Sequence, residues 1–179
     1  MIKIQTSFEV WIFCLTLYHM KKIEIKTEFI EYDSIEELAL EDKQLMDQAV
    51  QIRKSAYAPY SKFKVGAALL LEDGTVVLGS NQENAAFPSG LCAERTAIFQ
   101  AGALYPDKKI LKIAISASSD LKLTQAPIPP CGACRQSILE YETKQNQFIE
   151  MFFMGAEGKI CYSPSLVNML PFYFDRDSM

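Results

Sequence analysis

The chain has 179 residues, 49% of them hydrophobic and 22% charged, which is enough apolar mass for one globular domain with its own core. A formal net charge of -4 would repel a nucleic-acid backbone, so nucleic acid is not an expected partner and a free small molecule is the expected substrate. Five cysteines, an odd number, argue against a secreted disulfide framework and for a reducing, cytoplasmic setting.

Residues 1–19 stand apart. Residues 10–18 (VWIFCLTLY) are strongly apolar but fall short of the roughly 18 residues needed to cross a bilayer. Glu9 before them and Lys21 and Lys22 after them reverse the charge order of a signal peptide, and no small-residue cleavage site follows. Residues 1–19 are therefore expected to be a dispensable extension, residues 20–179 a single domain, and the membrane no partner. The only histidine, His19, lies in that extension, so a zinc site in the body of the chain has to be built from thiolates.

From Ile23 the pattern becomes regular. Ile23, Ile25 and Phe29 alternate with Glu24, Lys26 and Glu28, which predicts a half-exposed edge strand. Leu45, Ala49, Ile52 and Ala56 form one apolar helical stripe that ends before Pro59. Residues 64–71 and 75–80 flank Glu72-Asp73-Gly74 and predict a β-hairpin, followed by a loop over 81–90. Residues 92–103 predict a helix with Ala93, Ala97, Ile98 and Ala101 inward, and residues 112–116 a buried strand. Prolines at 127, 129 and 130 break the chain. A helix over 131–141, a strand over 148–154 and a short helix over 163–170 complete the chain. Such interleaving favours an α/β fold, a mixed sheet covered by helices on both faces.

Three cysteines carry the chemistry. Cys131 and Cys134 sit at the start of a predicted helix, so both side chains share one face and can chelate. Cys92 opens another helix, whose positive end favours the thiolate that zinc binds. Glu94 is two residues on and can share the metal's side only if Cys92 is at the cap. Cys92-x-Glu94 with Pro130-Cys131-x-x-Cys134 then matches the three-cysteine form of the zinc deaminase signature, in which the glutamate carries protons and is not a ligand. Three thiolates leave a fourth position open on the metal. The competing readings are a first-turn glutamate that only stabilises its helix, a redox Cys-x-x-Cys, and a closed four-cysteine zinc site that recruits Cys161.

Longer stretches then carry a resemblance. Tyr57-Ala-Pro-Tyr-Ser-Lys-Phe-Lys-Val-Gly-Ala67, Asn81-Gln-Glu-Asn-Ala85, Cys92-Ala-Glu-Arg-Thr96 and Pro130-Cys-Gly-Ala-Cys-Arg-Gln136 resemble, in order and spacing, the motifs of the cytidine deaminase family over about residues 45–174. The resemblance implies a three-layer α/β/α sandwich, a homotetramer with one zinc per subunit, and hydrolysis of cytidine and 2′-deoxycytidine to the uridines and ammonia in pyrimidine salvage. Deamination of a modified nucleoside or nucleoside-like antibiotic is the alternative. It also implies zinc ligation by Cys92, Cys131 and Cys134, proton shuttling by Glu94, and hydrogen bonds from Arg95 to the thiolates. Asn81 and Glu83 would hold the ribose, Phe63 would stack on the base, and Ala93 would offer a backbone N–H or carbonyl. A carboxylate at 83 accepts from a hydroxyl and repels a phosphate, which disfavours a nucleotide substrate. Phe87 stands where the family often has tyrosine. Phe174 would cover the base bound by a neighbouring subunit, with Phe172 as the competing candidate.

Overall fold

The structure, a computed structural model, describes residues 21–179; the 1–19 extension, with Cys14 and His19, lies outside the described residues. The elements in chain order are β1 (Ile30–Tyr32), α1 (Leu40–Arg53), β2 (Phe63–Leu71), β3 (Val76–Ser80), α2 (Ala93–Leu104), β4 (Ile110–Ser119), α3 (Gly132–Gln145), β5 (Glu150–Met154) and β6 (Ile160–Ser163). The six strands form one sheet in the order β1-β6-β5-β4-β2-β3. Only β4 and β5 run parallel, connected through α3; every other neighbouring pair is antiparallel. Helix α1 covers one face and α2 with α3 cover the other, so the expected three-layer α/β/α architecture is what the chain adopts.

Alternation along the central strands builds the two cores. Ala67, Leu69 and Leu71 of β2 join Ile113 and Ile115 of β4 and Met151 and Phe153 of β5 against α2 and α3. The intervening Ala68, Leu70, Ala114, Phe152 and Met154 pack under α1 with Leu45, Met46 and Ala49. A strand buried on both faces shows this as a nearly continuous apolar run, as 65–71 does. The hairpin between β2 and β3 turns at Gly74, whose φ of 85° suits a residue without Cβ.

Helix α1 lies close on β2 because Gly66 leaves it room. A Cβ on Gly66 would sit 2.1 Å from the Ala49 carbonyl oxygen and 2.6 Å from the Arg53 nitrogen, both backbone atoms of α1. Gly66→Ala is therefore expected to destabilise the fold by about 1–3 kcal/mol through forced separation of helix and sheet. Urea denaturation measures this, and an unchanged midpoint would refute the close-packing account.

Three sequence expectations are corrected. Residues 23–29 are not a strand: Ile23 and Ile25 are exposed, and the edge strand is the three-residue β1 that follows them. Only Ile30, Glu31 and Tyr32 find strand partners, opposite Tyr162, Cys161 and Ile160 of the short β6. Helix α1 begins at Leu40 and stops at Arg53, so Ala56 lies beyond it, and its buried stripe is Leu45, Met46 and Ala49. In place of a helix over 163–170, β6 ends at Ser163 and a single 3-10 turn follows at Val167–Met169. Pro171 follows directly and disfavours helical backbone at Leu170, which adopts φ -142° and ψ 72°.

Candidate active site

Helices α2 and α3 point their N-termini at one spot. Cys92 is the N-cap of α2 and Cys131 the N-cap of α3, both with extended backbone, and neither makes a side-chain capping hydrogen bond. Their sulfurs are thus free to face one another. The Cys92 and Cys131 Sγ atoms are 3.9 Å apart, those of Cys131 and Cys134 are 3.5 Å apart, and all three fall within 4.8 Å. Sulfurs at the corners of a tetrahedron with Zn–S near 2.3 Å would be separated by about 3.8 Å, so the spacing fits one zinc ion.

The electrostatics agree with that donor set. A hydrogen bond with Cys134 holds the Cys92 thiol down to about 5, aided by Arg95, while the same bond pushes Cys134 far up. Cys92 is thus the ready thiolate of the group, and Cys134 carries a proton that metal binding would displace. The Arg95 guanidinium stays charged beside these sulfurs although burial opposes it, and its Nε is buried with no hydrogen-bond partner among the described residues. Three thiolates and Zn²⁺ sum to one negative charge, which an adjacent guanidinium offsets.

Glu94 is 4% exposed, and burial pushes its carboxyl up to about 7. Because Cys92 is the cap and not a mid-helix residue, Glu94 in the first turn borders the same cleft as the sulfurs. The cleft is open and about 800 Å³ in volume, and Cys92, Glu94, Arg95 and Cys131 line it. A separate cavity of about 200 Å³ between Tyr105 and Tyr141 contains none of these residues.

Phe63, Asn81 and Glu83 line the same cleft. Gln82 pairs with Leu91 through reciprocal backbone bonds of 2.8 and 2.9 Å, which threads residues 81–83 between two neighbouring segments. Tyr57 completes the brace, donating its N–H to the Asn81 carbonyl and accepting from the Glu83 N–H. The Glu83 carboxylate is held below its usual range by the Ser61 hydroxyl and by the Tyr60 and Ser61 N–H groups, so it is ionised and preset. The Asn81 amide is already bound to β2, its Oδ1 accepting from the Val65 N–H at 2.7 Å and its Nδ2 donating to the Phe63 carbonyl at 2.9 Å. One donor and one lone pair of the amide remain.

Other expected residues are placed differently. The Ala93 side chain is fully buried in the core, and its carbonyl is turned against Gly79, where a Cβ would come within 2.4 Å. Its N–H, in the first turn of α2, is the group left for a ligand. Phe174 does not line the cleft of its own protomer; it is 59% exposed, as Phe172 is 79% exposed. Phe87 stands at the cleft rim, edge-on to Tyr60 with ring centroids 6.0 Å apart. Cys161 lies in β6 and takes no part in the three-sulfur group, which removes the closed four-cysteine reading. Residues that sequence reasoning passed over include Ile128 and Pro129, which wall the cleft. Their signal was visible as a proline break, but its role as a wall was not.

Comparison with known proteins agrees with this geometry. Residues 40–150 match the cytidine and deoxycytidylate deaminase zinc-binding region. The chain is 38% identical over 137 residues to a cytidine deaminase of Sporosarcina psychrophila, covering 76% of this chain and 93% of that one. It is 46% identical over 101 residues to a cytidine deaminase of Halalkalibacterium halodurans, covering 56% and 72%. Among solved structures, the cytidine deaminase of Burkholderia pseudomallei superposes with a TM-score of 0.63 at 38% identity, covering 73% of this chain and 97% of that one. The Mycobacterium tuberculosis cytidine deaminase gives 0.59 at 29% identity, covering 76% and 99%.

Proposed function

Because this chain belongs to the cytidine deaminase family, we propose that it hydrolyses cytidine and 2′-deoxycytidine to uridine and 2′-deoxyuridine with release of ammonia. The observation that carries this reading is a three-sulfur group and a buried carboxyl bordering one cleft that an ionised carboxylate also lines.

Cys92, Cys131 and Cys134 would hold the zinc, which when bound supplies the positive charge that activates a water nucleophile near neutral pH. Glu94 takes a proton from that water and delivers it to N3 of the pyrimidine as the water oxygen bonds to C4. It then relays the second proton to the 4-amino group, so that the C4–N bond breaks and ammonia leaves. Its burial keeps the carboxyl away from competing solvent. Arg95 stabilises the thiolates without touching substrate.

Phe63 stacks on the base, and the free donor of Asn81 and the carboxylate of Glu83 hold the ribose hydroxyl. The Ala93 N–H meets the pyrimidine edge. Because Glu83 is preset by its own N–H donors, Glu83→Ala is expected to raise KM for cytidine by roughly 10–100-fold, the loss of one charge-assisted hydrogen bond. Zinc content should be unchanged, and an unaltered KM would remove Glu83 from the ribose site.

The quaternary reading is a homotetramer in which Phe174 reaches a neighbour's substrate. In support, Phe87, Phe99, Phe172 and Phe174 are all exposed large apolar side chains in the isolated protomer. The place of the reaction is cytoplasmic pyrimidine salvage; among the described residues no helix is long and apolar enough to cross a membrane. Ultraviolet-monitored conversion of cytidine to uridine by zinc-loaded protein tests the activity directly, and absence of turnover in folded, zinc-bearing protein would overturn it.

A further inference from the structure

Helix α3 carries Cys134 and is capped by Cys131, and three of its other side chains reach the end of the chain through four hydrogen bonds. After β6 stops at Ser163, the remaining residues contain only short 3-10 turns and no strand pairing. Asn168 ties them to Glu28 and Ser163, Leu166 and Met169 anchor them in the core, and α3 side chains bind them along the rest of their length. Glu142, 2% exposed, accepts from the Leu166 N–H at 2.8 Å and the Val167 N–H at 3.2 Å. Gln136 Nε2 donates to the Phe174 carbonyl at 2.6 Å. Between them Arg135 divides its guanidinium: Nε donates to the Pro130 carbonyl at 2.9 Å and an Nη donates to the Met169 carbonyl at 3.0 Å.

We propose that Arg135 is a positioning residue that locks the C-terminal aromatic segment to the Pro129–Cys131 cleft wall, so that one guanidinium sets both the wall beside the sulfurs and the tail that carries Phe174. Pro130 directly precedes the N-cap Cys131, and Pro129 lines the cleft. A single planar cation with several donors can bridge two carbonyls in fixed geometry, which a lysine ammonium on a flexible stem does poorly. The two carbonyls come from segments that are distant in sequence, and neither lies in a regular strand or α-helix. Glu142 and Gln136 extend the same tether in both directions along the tail, to Leu166 and Val167 on one side of Met169 and to Phe174 on the other. The kinetic part of this inference rests on the assignment of Phe174 to substrate; the structural part does not.

The test uses the full-length, zinc-loaded protein and reads amide hydrogen exchange together with cytidine kinetics for Arg135→Gln, Arg135→Lys, Gln136→Ala, Phe174→Ala and the Arg135→Gln/Phe174→Ala double variant. Arg135→Gln is expected to speed exchange in residues 166–174 by at least about tenfold, the loss of hydrogen bonds from a charged donor. The interior of α3 should stay protected and zinc should stay at the wild-type level. KM should rise about as far as in Phe174→Ala while kcat changes less. The double variant should be no worse than Phe174→Ala, and Arg135→Lys should recover part of the loss. Gln136, half-buried and outside the core clusters, supplies a variant that does not threaten folding, and a raised KM with zinc retained is expected there too. Unchanged tail exchange, additive kinetic losses, or zinc loss in Arg135→Gln would each overturn the proposal. If Phe174→Ala alone leaves the kinetics untouched, the Phe174 assignment falls, and the exchange result decides the tether by itself.

Discussion

Glu94→Gln should fold, bind zinc at the wild-type level and turn cytidine over roughly 10²–10⁴-fold more slowly than the wild type. The substitution keeps the shape of the side chain and removes only its ability to accept a proton. Burial already raises the carboxyl's proton affinity, so a neutral amide at 94 introduces no new desolvation cost. Stability should therefore change by no more than about 1 kcal/mol, or about 2–4 °C in Tm for a chain of this size. If Glu94 acts only on proton transfers, kcat and kcat/KM should fall together, because the lost interaction exists in the transition state and not in the bound ground state. Steady-state kinetics with zinc analysis on the same sample makes the comparison. A variant that keeps its rate would return Glu94 to the role of a first-turn residue stabilising its helix.

Cys131→Ala should lose the metal and a large part of the thermal stability together. Cys131 is the N-cap of α3 and stands 3.9 Å from one thiol partner and 3.5 Å from the other, so two remaining sulfurs cannot complete the chelate. A ligand present at a thousand times its dissociation constant stabilises the folded state by about 4 kcal/mol. Its loss would lower Tm by about 8–16 °C in a protein of this length. The wild type treated with a strong chelator should melt where the variant melts, and adding chelator to the variant should do nothing more. Full zinc occupancy in dialysed Cys131→Ala would remove Cys131 from the ligand set.

The site residues differ in how openly the sequence displayed them. Cys92, Glu94, Cys131 and Cys134 sit in two short motifs, and the requirement that Cys92 cap its helix could be reasoned from spacing alone; the backbone at Cys92 is extended, as that reasoning required. Asn81 was legible as a cleft residue but not as the amide that ties β2 through the Val65 N–H and the Phe63 carbonyl. That bonding depends on a strand sixteen or more positions earlier in the chain, which no local pattern reveals. Ala93 was legible only as a backbone donor or acceptor, and the close approach of Gly79 took the acceptor away. Arg135 and Gln136 stood inside a recognised motif without a role, because their partners at 169 and 174 are far along the chain.

By itself the sequence determined the chemistry and the fold class. Periodicity marks which residues are buried, so the hairpin, the three helices and the central strands were readable, and a thiolate set with a paired carboxyl names its metal wherever it sits. Tertiary structure decided the pairing. The alternation over 23–29 is strand-like, yet a strand needs a partner, and β6 offers only enough length for Ile30–Tyr32. The four residues of β6 carry no pattern of their own and are extended because β5 and β1 hydrogen-bond them from both sides. The meeting of two helix N-termini at one spot is likewise a product of sheet order: β4 and β5 lie side by side, and the chain between them carries α3 back over the face where α2 already packs.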